Sequence, residues 1–523
     1  MRVSARRRER PRAAAWWRGV AAVVAGALPA LTFPEPSLWW LGYVALVPWL
    51  LLLRSATTGR GAALLGWLGG AGFLLAVHHW LLPSLHVFIL VLAALLGLLW
   101  VPWGLLAHRL LAGSPGPGRV VAALFVLPSG WLLAELVRSW EYLGGPWGLL
   151  GAGQWQVAPA LRLASVGGVW LVGFWLVAVN VALAALISAP RARRTALGGL
   201  LGCGVVIGWV WAWAPVPGPA GTARVAVVQP GVIEGPGSPQ RRFDREEELT
   251  RQLAGQRLDL VVWGESSVGQ DLEHRPDLRA RLATLSRTVG ADLLVNVDAR
   301  RSDRPGIFKS SVLVGPGGPT GERYDKMRLV PFGEYVPARS LLGWVTSVGK
   351  AAAEDRRRGD RPVVMRLPEA SGGLRIGPLV CFESAFPDMS RRLVRDGAQL
   401  LVAQSATSTF QHSWAPEQHA SLAALRAAET WRPMVHATLT GVSTVVDARG
   451  RTTGGQLGTD SSAAAVHEVP LARGTSPYVR TGDWALYAAP AILLVYCSAE
   501  GLRGMWRRSA GKSSVKQPAA ERE

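Results

Sequence analysis

Apolar runs constrain this chain more than any other feature. A bilayer core of ~30 Å needs about 20 largely apolar residues as helix, and the 523-residue sequence offers eight such stretches. Seven precede residue 215, at about 13–31, 37–53, 61–83, 86–107, 119–137, 162–188 and 197–213, and the eighth is 484–500. They predict a polytopic α-helical membrane protein in three parts: a membrane domain over 1–214, a polar block over 222–480, and a last span with a basic cytoplasmic tail over 481–523. Only 18% of residues are charged, below the ~25% of soluble proteins, which argues against a wholly soluble enzyme and against disorder. The first run follows a basic segment, as a signal peptide would. With six more spans before residue 215, it reads instead as a retained helix.

The net charge of +20 is concentrated at the ends and in the short loops. Arg2, Arg6, Arg7, Arg8, Arg10 and Arg12 form a basic N-terminal tail, and Arg503, Arg507, Arg508, Lys512 and Lys516 a C-terminal one. No RNP, zinc-finger or helix-turn-helix pattern accompanies them, so no nucleic-acid partner is expected. With the N-terminus inside, the cytoplasmic loops hold Arg54 and Arg60, Arg109 and Arg119, then Arg191, Arg193 and Arg194. The opposite loops at 32–36 and 84–85 have no Lys or Arg, and Arg138 flanks the longer 138–161 connection. The short loops follow the positive-inside rule. Seven spans then place the polar block on the extracytoplasmic side.

Eighteen of 24 Trp fall before residue 214. Several, including Trp16, Trp17, Trp39, Trp40, Trp100 and Trp103, lie near span ends and read as interfacial belts. His78, His79 and Glu135 lie in or near spans, where ionisable groups are costly. Three cysteines cannot build a disulfide framework, and no Cys/His cluster suggests a metal. No cofactor or metal is expected.

Beyond a linker at Pro215–Gly221 the character changes. Short Val/Ile/Leu runs alternate with polar helical stretches, at Arg224–Val228, Leu258–Trp263, Ala291–Val297, Ser310–Val314, Leu374–Val380 and Gln399–Ala403, which indicates an α/β domain. Three segments there carry chemistry. In LDLVVWGESS (258–267) an apolar strand runs into Glu265, either a carboxylate projecting into a site or a solvated loop acid. GERYDKMRLVPFGEYVP (321–337) holds Lys326 and Glu334. Lysine is scarce here, only Lys309, Lys326, Lys350, Lys512 and Lys516 among 56 basic residues. Lys326 is therefore either a compact, tunable cation or a surface charge. In LRIGPLVCFESAFPD (374–388) Cys381 ends an apolar strand, and Cys203 and Cys497 lie in expected spans. Its thiol is either inert packing or a nucleophile.

Taken in order, these segments resemble the carbon–nitrogen hydrolase (nitrilase) superfamily, and with the flanking spans the chain resembles the apolipoprotein N-acyltransferase family over nearly its full length. WLLAELVRSWEYLGGPWGLLG (131–151), HASLAALRAAETWRP (419–433) and GTSPYVRTGDW (474–484) add to the likeness, and LVPFGEYVP is its most specific string. The resemblance implies an extracytoplasmic nitrilase-like domain, an α-β-β-α sandwich, on a multi-pass protein of the bacterial inner membrane. It implies acyl transfer from a membrane phospholipid, through a thioester on Cys381, to the N-terminal diacylglyceryl-cysteine of a lipoprotein. Glu265 is then the general base, Lys326 the cation facing the oxyanion, and Glu334 and Glu383 supporting acids. The sequence departs from the family pattern at Phe382, at Ser405-Ala406-Thr407-Ser408, in the Pro230–Phe243 loop and at Thr438-Leu439-Thr440-Gly441. These changes bear on substrate docking and rate more than on reaction type. Competing readings are a membrane-anchored amidase or nitrilase with water as acceptor, and a non-catalytic scaffold or transporter.

Overall fold

A computed structural model describes residues 6–342, 354–369 and 372–513. The segments 1–5 and 514–523, with the tail residues Arg2 and Lys516, and Lys350 lie outside the described residues. Six helices among them are long and apolar enough, by length and composition, to cross a membrane. These are Gly59–Val77, Phe88–Leu111, Pro117–Arg138, Ala158–Ser188, Pro190–Trp213 and Trp484–Arg503. A helix at Arg6–Ala27 overlaps the first expected span. The second differs from expectation. A 3-10 turn at Trp39–Tyr43 precedes a helix of 8 residues, Val47–Arg54. At 1.5 Å per residue that helix covers only ~12 Å, because Pro48 in its first turn lacks the N–H that would extend it backwards.

The membrane body is organised by aromatic packing and by its two ends. Trp49, Trp100, Trp103 and Trp131 are fully buried, with ring centroids 4.8–6.0 Å apart. Trp100 and Trp103 are therefore interior residues rather than interfacial ones: helices that cross closely at glycines leave space that large rings fill. Trp16, Trp17, Trp39 and Trp40 are exposed, as a belt requires. At one end Arg54 donates to Gly113 O and Ser188 O, both at 2.8 Å, and Arg109 pairs with Glu500 at 2.6 Å. That end gathers loops rich in arginine.

The other end carries the polar block. Glu141 accepts from Arg328 at 2.6 Å, Trp147 Nε1 donates to Gln418 Oε1 at 2.9 Å, and Trp80 stacks edge-on against Phe410. The ionisable groups near spans have structural partners: Glu135 Oε1 accepts from Leu150 N at 2.7 Å, and His79 packs against Trp414. Arg138 is buried and donates to Trp147 O. It is thus a clamp on the longer 138–161 connection.

A break in the long helix Ala158–Ser188 ties body to block. Gly168 sits at φ 71°, where a Cβ would lie 2.6 Å from the Tyr478 ring. The break frees the Val169 N–H, which donates to Glu429 Oε1 at 2.7 Å across the junction.

The polar block is two sheets packed face to face. The first has order β11-β1-β2-β3-β4-β5, with β1 Gly218–Gln229, β2 Leu260–Trp263, β3 Asp292–Arg300, β4 Ile307–Gly315, β5 Gly318–Asp325 and β11 Ala463–Arg473. The second has order β10-β9-β8-β7-β6, with β6 Met365–Arg366, β7 Arg375–Val380, β8 Leu400–Ser405, β9 Met434–Thr438 and β10 Thr444–Val446. Alternation along each strand divides the first sheet's side chains. Val225, Val227, Leu260, Val262, Leu294 and Leu313 meet the second sheet. Ala226, Val228, Val261, Leu293 and Val295 meet the helices Ser238–Arg251 and Pro276–Val289. Helices Pro387–Arg395 and Ala415–Thr430 cover the second sheet, completing the α-β-β-α sandwich. β1 begins inside the segment read as a linker, since Gly218 and Pro219 already pair with Arg473 and Ala472.

Candidate active site

The first sheet and the second come close together near the end of β2. Gly264, just past β2, touches the second sheet so tightly that a Cβ would lie 2.0 Å from Leu439 N. This contact brings Glu265 over the strand ends, with its N–H donating to Ser405 O at 3.2 Å. Lys326 follows β5 directly, its N–H bonded to Lys309 O at 2.8 Å. Cys381 follows β7 at φ 51°, a left-handed conformation costing a non-glycine residue on the order of 1–3 kcal/mol. Glu383 offsets that cost: its Oε2 accepts from Val380 N at 2.8 Å. Its Oε1 accepts from Tyr324 OH (2.7 Å), Met327 N (2.7 Å) and Arg328 N (3.0 Å). Glu383 therefore clamps the Cys381 turn to the loop that holds Lys326.

Of the five residues singled out in the sequence, Glu265, Lys326, Glu334 and Cys381 converge, and Glu383 stands behind them. Lys326 Nζ is fully buried, 2.8 Å from Glu334 Oε1 and 3.2 Å from Glu265 Oε1. Glu334 Oε2 also accepts from Val330 N at 2.8 Å. Burial opposes ionisation of both carboxyls, but Lys309 and Lys326 outweigh it. Glu265 is held below the usual carboxylate range, and Glu334 falls to about 2. Burial, then the Glu265 anion, push the Cys381 thiol up to about 12, with Lys326 only partly offsetting them. At neutral pH the resting site therefore holds two carboxylates, the two ammonium groups of Lys309 and Lys326, and a neutral thiol.

Sequence reasoning missed two neighbours. Lys309 Nζ lies 2.8 Å from Glu265 Oε1 and 3.0 Å from Glu334 Oε1. Its signal was the two-residue period of β4: Ser311 and Leu313 face the second sheet, so Lys309 does too. His419 Nε2 lies 3.0 Å from both Cys381 O and Ser384 Oγ, and burial lowers its pKa to about 4. It braces the Cys381 turn as a neutral ring. Among the described residues no Asp/Glu/His/Cys group could hold a metal ion.

A cavity of about 250 Å³ leads from this cluster into the membrane body. Leu81, Leu85, Ile89, Leu92 and Leu96 line one part, and Val330, Phe332, Phe382, Phe410 and Cys381 the other. The lining is mainly apolar, with Arg138, His78, Thr407 and His419 among the exceptions, so the space suits a hydrocarbon chain that reaches Cys381. Gly145 sits behind Phe382, one of the wall residues. At φ 66° a Cβ there would lie 2.5 Å from the Phe382 ring and 2.8 Å from Phe386. Gly145→Ala is expected to destabilise the protein by about 1–3 kcal/mol, lowering the melting temperature of the purified chain by several degrees. An unchanged melting temperature would mean that this wall yields freely.

Comparison with known proteins gives a consistent result. Residues 25–182 match the apolipoprotein N-acyltransferase N-terminal domain, and 224–476 match the carbon–nitrogen hydrolase family. The chain is 32% identical over 501 residues to an apolipoprotein N-acyltransferase of Geobacter metallireducens, covering 90% of this chain and 94% of that one. It is also 32% identical over 510 residues to that of Azotobacter vinelandii, covering 92% and 94%. Among solved structures, it is similar to an amidase from Nesterenkonia sp. (19% identity, TM-score 0.36, covering 52% of this chain and 98% of that one).

Proposed function

The chain belongs to the apolipoprotein N-acyltransferase family, and from that premise we propose the reaction and the residues that perform it. A membrane phospholipid donates an acyl chain to Cys381, and the thioester passes it to the α-amine of a lipoprotein's N-terminal diacylglyceryl-cysteine. One observation carries this reading: a mainly apolar cavity opens from the membrane helices onto Cys381, whose thiol lies within the field of the Glu265 and Lys326 charges. A hydrolase of small soluble amides has no use for such a passage. Both substrates are lipid-anchored, and withdrawing an acyl chain into water costs ~0.8 kcal/mol per CH₂.

The resting thiol is neutral, so its proton leaves as the bond forms. The sulfur attacks the ester carbonyl while Glu265 takes the thiol proton. Lys326 faces the oxyanion, and a positioned charge of this kind is worth on the order of 10²–10³ in rate. Collapse expels the lysophospholipid alkoxide, which takes the proton back from Glu265. In the second half the neutral amine attacks the thioester. Glu265 accepts an amine proton and returns it to the departing sulfur, leaving an amide and a free thiol. Glu334 holds Lys326 in place, and Glu383 holds the turn. Exclusion of water protects the thioester.

The membrane units are taken as 1–214 and 481–523, with the catalytic unit at 222–480. The protein is multi-pass; we place it in the bacterial inner membrane with the catalytic unit on the extracytoplasmic face. The arginine-rich loop ends meet at the end of the body away from the catalytic unit, which supports that orientation. The test uses the full chain in vesicles with acyl-labelled phospholipid. The label should appear first as a thioester on Cys381 and then as an amide on a diacylglyceryl peptide. Label released only as free fatty acid would favour the hydrolase reading instead.

The two halves should also differ in pH dependence. Because Glu265 is held below the ordinary carboxylate range, the base stays ionised across neutral pH, and its protonation limits the rate only in strong acid. Thioester formation is therefore expected to stay nearly flat from about pH 5.5 to 8.5, while transfer rises through the ~7.7–8.0 range where an α-amine loses its proton. Stopped assays of each half across pH would check this. A thioester step that climbs steeply between pH 5 and 7 would remove Glu265 as a low-pKa base.

A further inference from the structure

The cluster beside Cys381 contains one more charge than the proposed chemistry uses. Lys309, on β4, reaches the same Oε1 atoms of Glu265 and Glu334 that Lys326 touches, at 2.8 and 3.0 Å. Its remaining charged neighbour is Asp298, at 3.9 Å, which Arg356 meets at 3.4 Å from the outer side. Among the described residues, Lys326 and the Cys381 thiol are the other titratable groups facing it. Counted as ionised, Glu265 and Glu334 balance Lys326 and Lys309, while Arg356 balances Asp298. Without Lys309 the cluster would carry one net negative charge.

We propose that Lys309 is a positioning residue that neutralises the Glu265–Lys326–Glu334 cluster and so divides its effect unequally between the two half-reactions. The inference rests on the thioester reading given above. In the first half the site gains negative charge, as the thiol proton leaves and the carbonyl oxygen becomes an oxyanion. A neutral cluster tolerates that charge better than an anionic one, so Lys309 speeds acylation of Cys381. In the second half the incoming group is an amine that arrives largely as an ammonium at neutral pH. An anionic cluster would attract it; the neutral one does not, so Lys309 weakens acceptor capture. The two effects have opposite signs, because the same cation meets a growing anion in one step and an incoming cation in the other. Unit charges a few ångströms apart in a poorly solvated site interact strongly enough for changes of tenfold or more.

The test compares the wild-type full chain with Lys309→Met and Lys309→Arg in vesicles. Thioester on Cys381 is followed by mass spectrometry with phospholipid alone. Transfer to a synthetic diacylglyceryl peptide is followed from the preformed acyl-enzyme. Lys309→Met should slow thioester formation at least tenfold while lowering the KM for the peptide several-fold. The acid limb of thioester formation should move to higher pH, since Glu265 loses one of its two cations. Lys309→Arg should restore the wild-type ratio of the two halves. Asp298→Asn, which leaves Lys309 less compensated, should shift that ratio the opposite way from Lys309→Met and guards against a folding defect in that variant. If Lys309→Met slows both halves by the same factor with the acid limb unmoved, the residue is a structural prop and the proposal fails. If wild-type protein forms no thioester at all, the underlying reading fails, which is a distinct result.

Discussion

Cys381→Ala is expected to abolish acyl transfer while the chain still inserts and folds. The argument runs from the backbone outwards. Cys381 sits at φ 51° in a turn held by Glu383 and braced by His419, and none of those bonds uses the sulfur. Alanine meets the same left-handed strain as cysteine, so stability should change by no more than about 1 kcal/mol. The chemistry is different. Cys203 and Cys497, the other free cysteines, lie in the helices Arg193–Trp213 and Trp484–Ser513. No other thiol in the catalytic unit can accept the acyl group. Loss of a nucleophile from a cooperating set costs on the order of 10⁴–10⁶ in rate. Cys381→Ser should fare little better, because a hydroxyl is a weaker nucleophile at this site's acidity. The decisive measurement is mass spectrometry of the protein after incubation with phospholipid, and of the peptide N-terminus after addition of acceptor. Amide formation by either variant, or acyl label at another residue, would remove Cys381 as the nucleophile.

The site was legible in the sequence because Glu265 and Cys381 directly follow apolar strands, Glu383 comes two residues after Cys381, Glu334 lies within LVPFGEYVP, and Lys326 stands three residues before that string. Strands rich in Val, Ile and Leu announce themselves, and β1, β2, β3, β4, β7 and β8 were all expected near their observed places. β5, reading GPTGERYD, and β11, reading AAAVHEVPLAR, were not. Their residues are polar or small, and they form strands because neighbours supply ladder bonds rather than because their side chains prefer extension. The same reason hid Lys309, whose role depends on which face of β4 meets the second sheet. Glu429 escaped as well: its partner, the Val169 N–H, becomes available only because the helix breaks at Gly168, 261 residues earlier in the chain. In the membrane body, length and hydropathy located the helices but not the interior cluster of Trp100 and Trp103 or the interruption at Pro48. Contacts of this kind arise from packing between distant segments, which no local pattern records.

Glu265→Gln separates the thiol's acidity from its reactivity. If the carboxylate merely lowered the pKa of Cys381, removing it would make the thiol less acidic. The geometry predicts the reverse. The Glu265 anion pushes the thiol pKa up, and the lysines pull it down. In Glu265→Gln the thiol should therefore ionise more readily, and its alkylation by a small neutral reagent at pH 8 should be unchanged or faster. Thioester formation should nevertheless fall on the order of 10³, within the range general bases contribute, because no group remains to take the proton during attack and return it to the lysophospholipid. Lys326→Met should show the opposite pattern. It removes a cation that lowers the thiol pKa, so alkylation slows together with thioester formation. Both changes leave a buried charge short of a partner, worth about 3–5 kcal/mol when a buried pair is broken. Melting curves must therefore accompany the rates. A Glu265→Gln protein that melts as a folded chain, alkylates readily and still forms the thioester at the wild-type rate would leave the base unassigned. One that alkylates readily and forms none would identify Glu265 as the group that moves the proton.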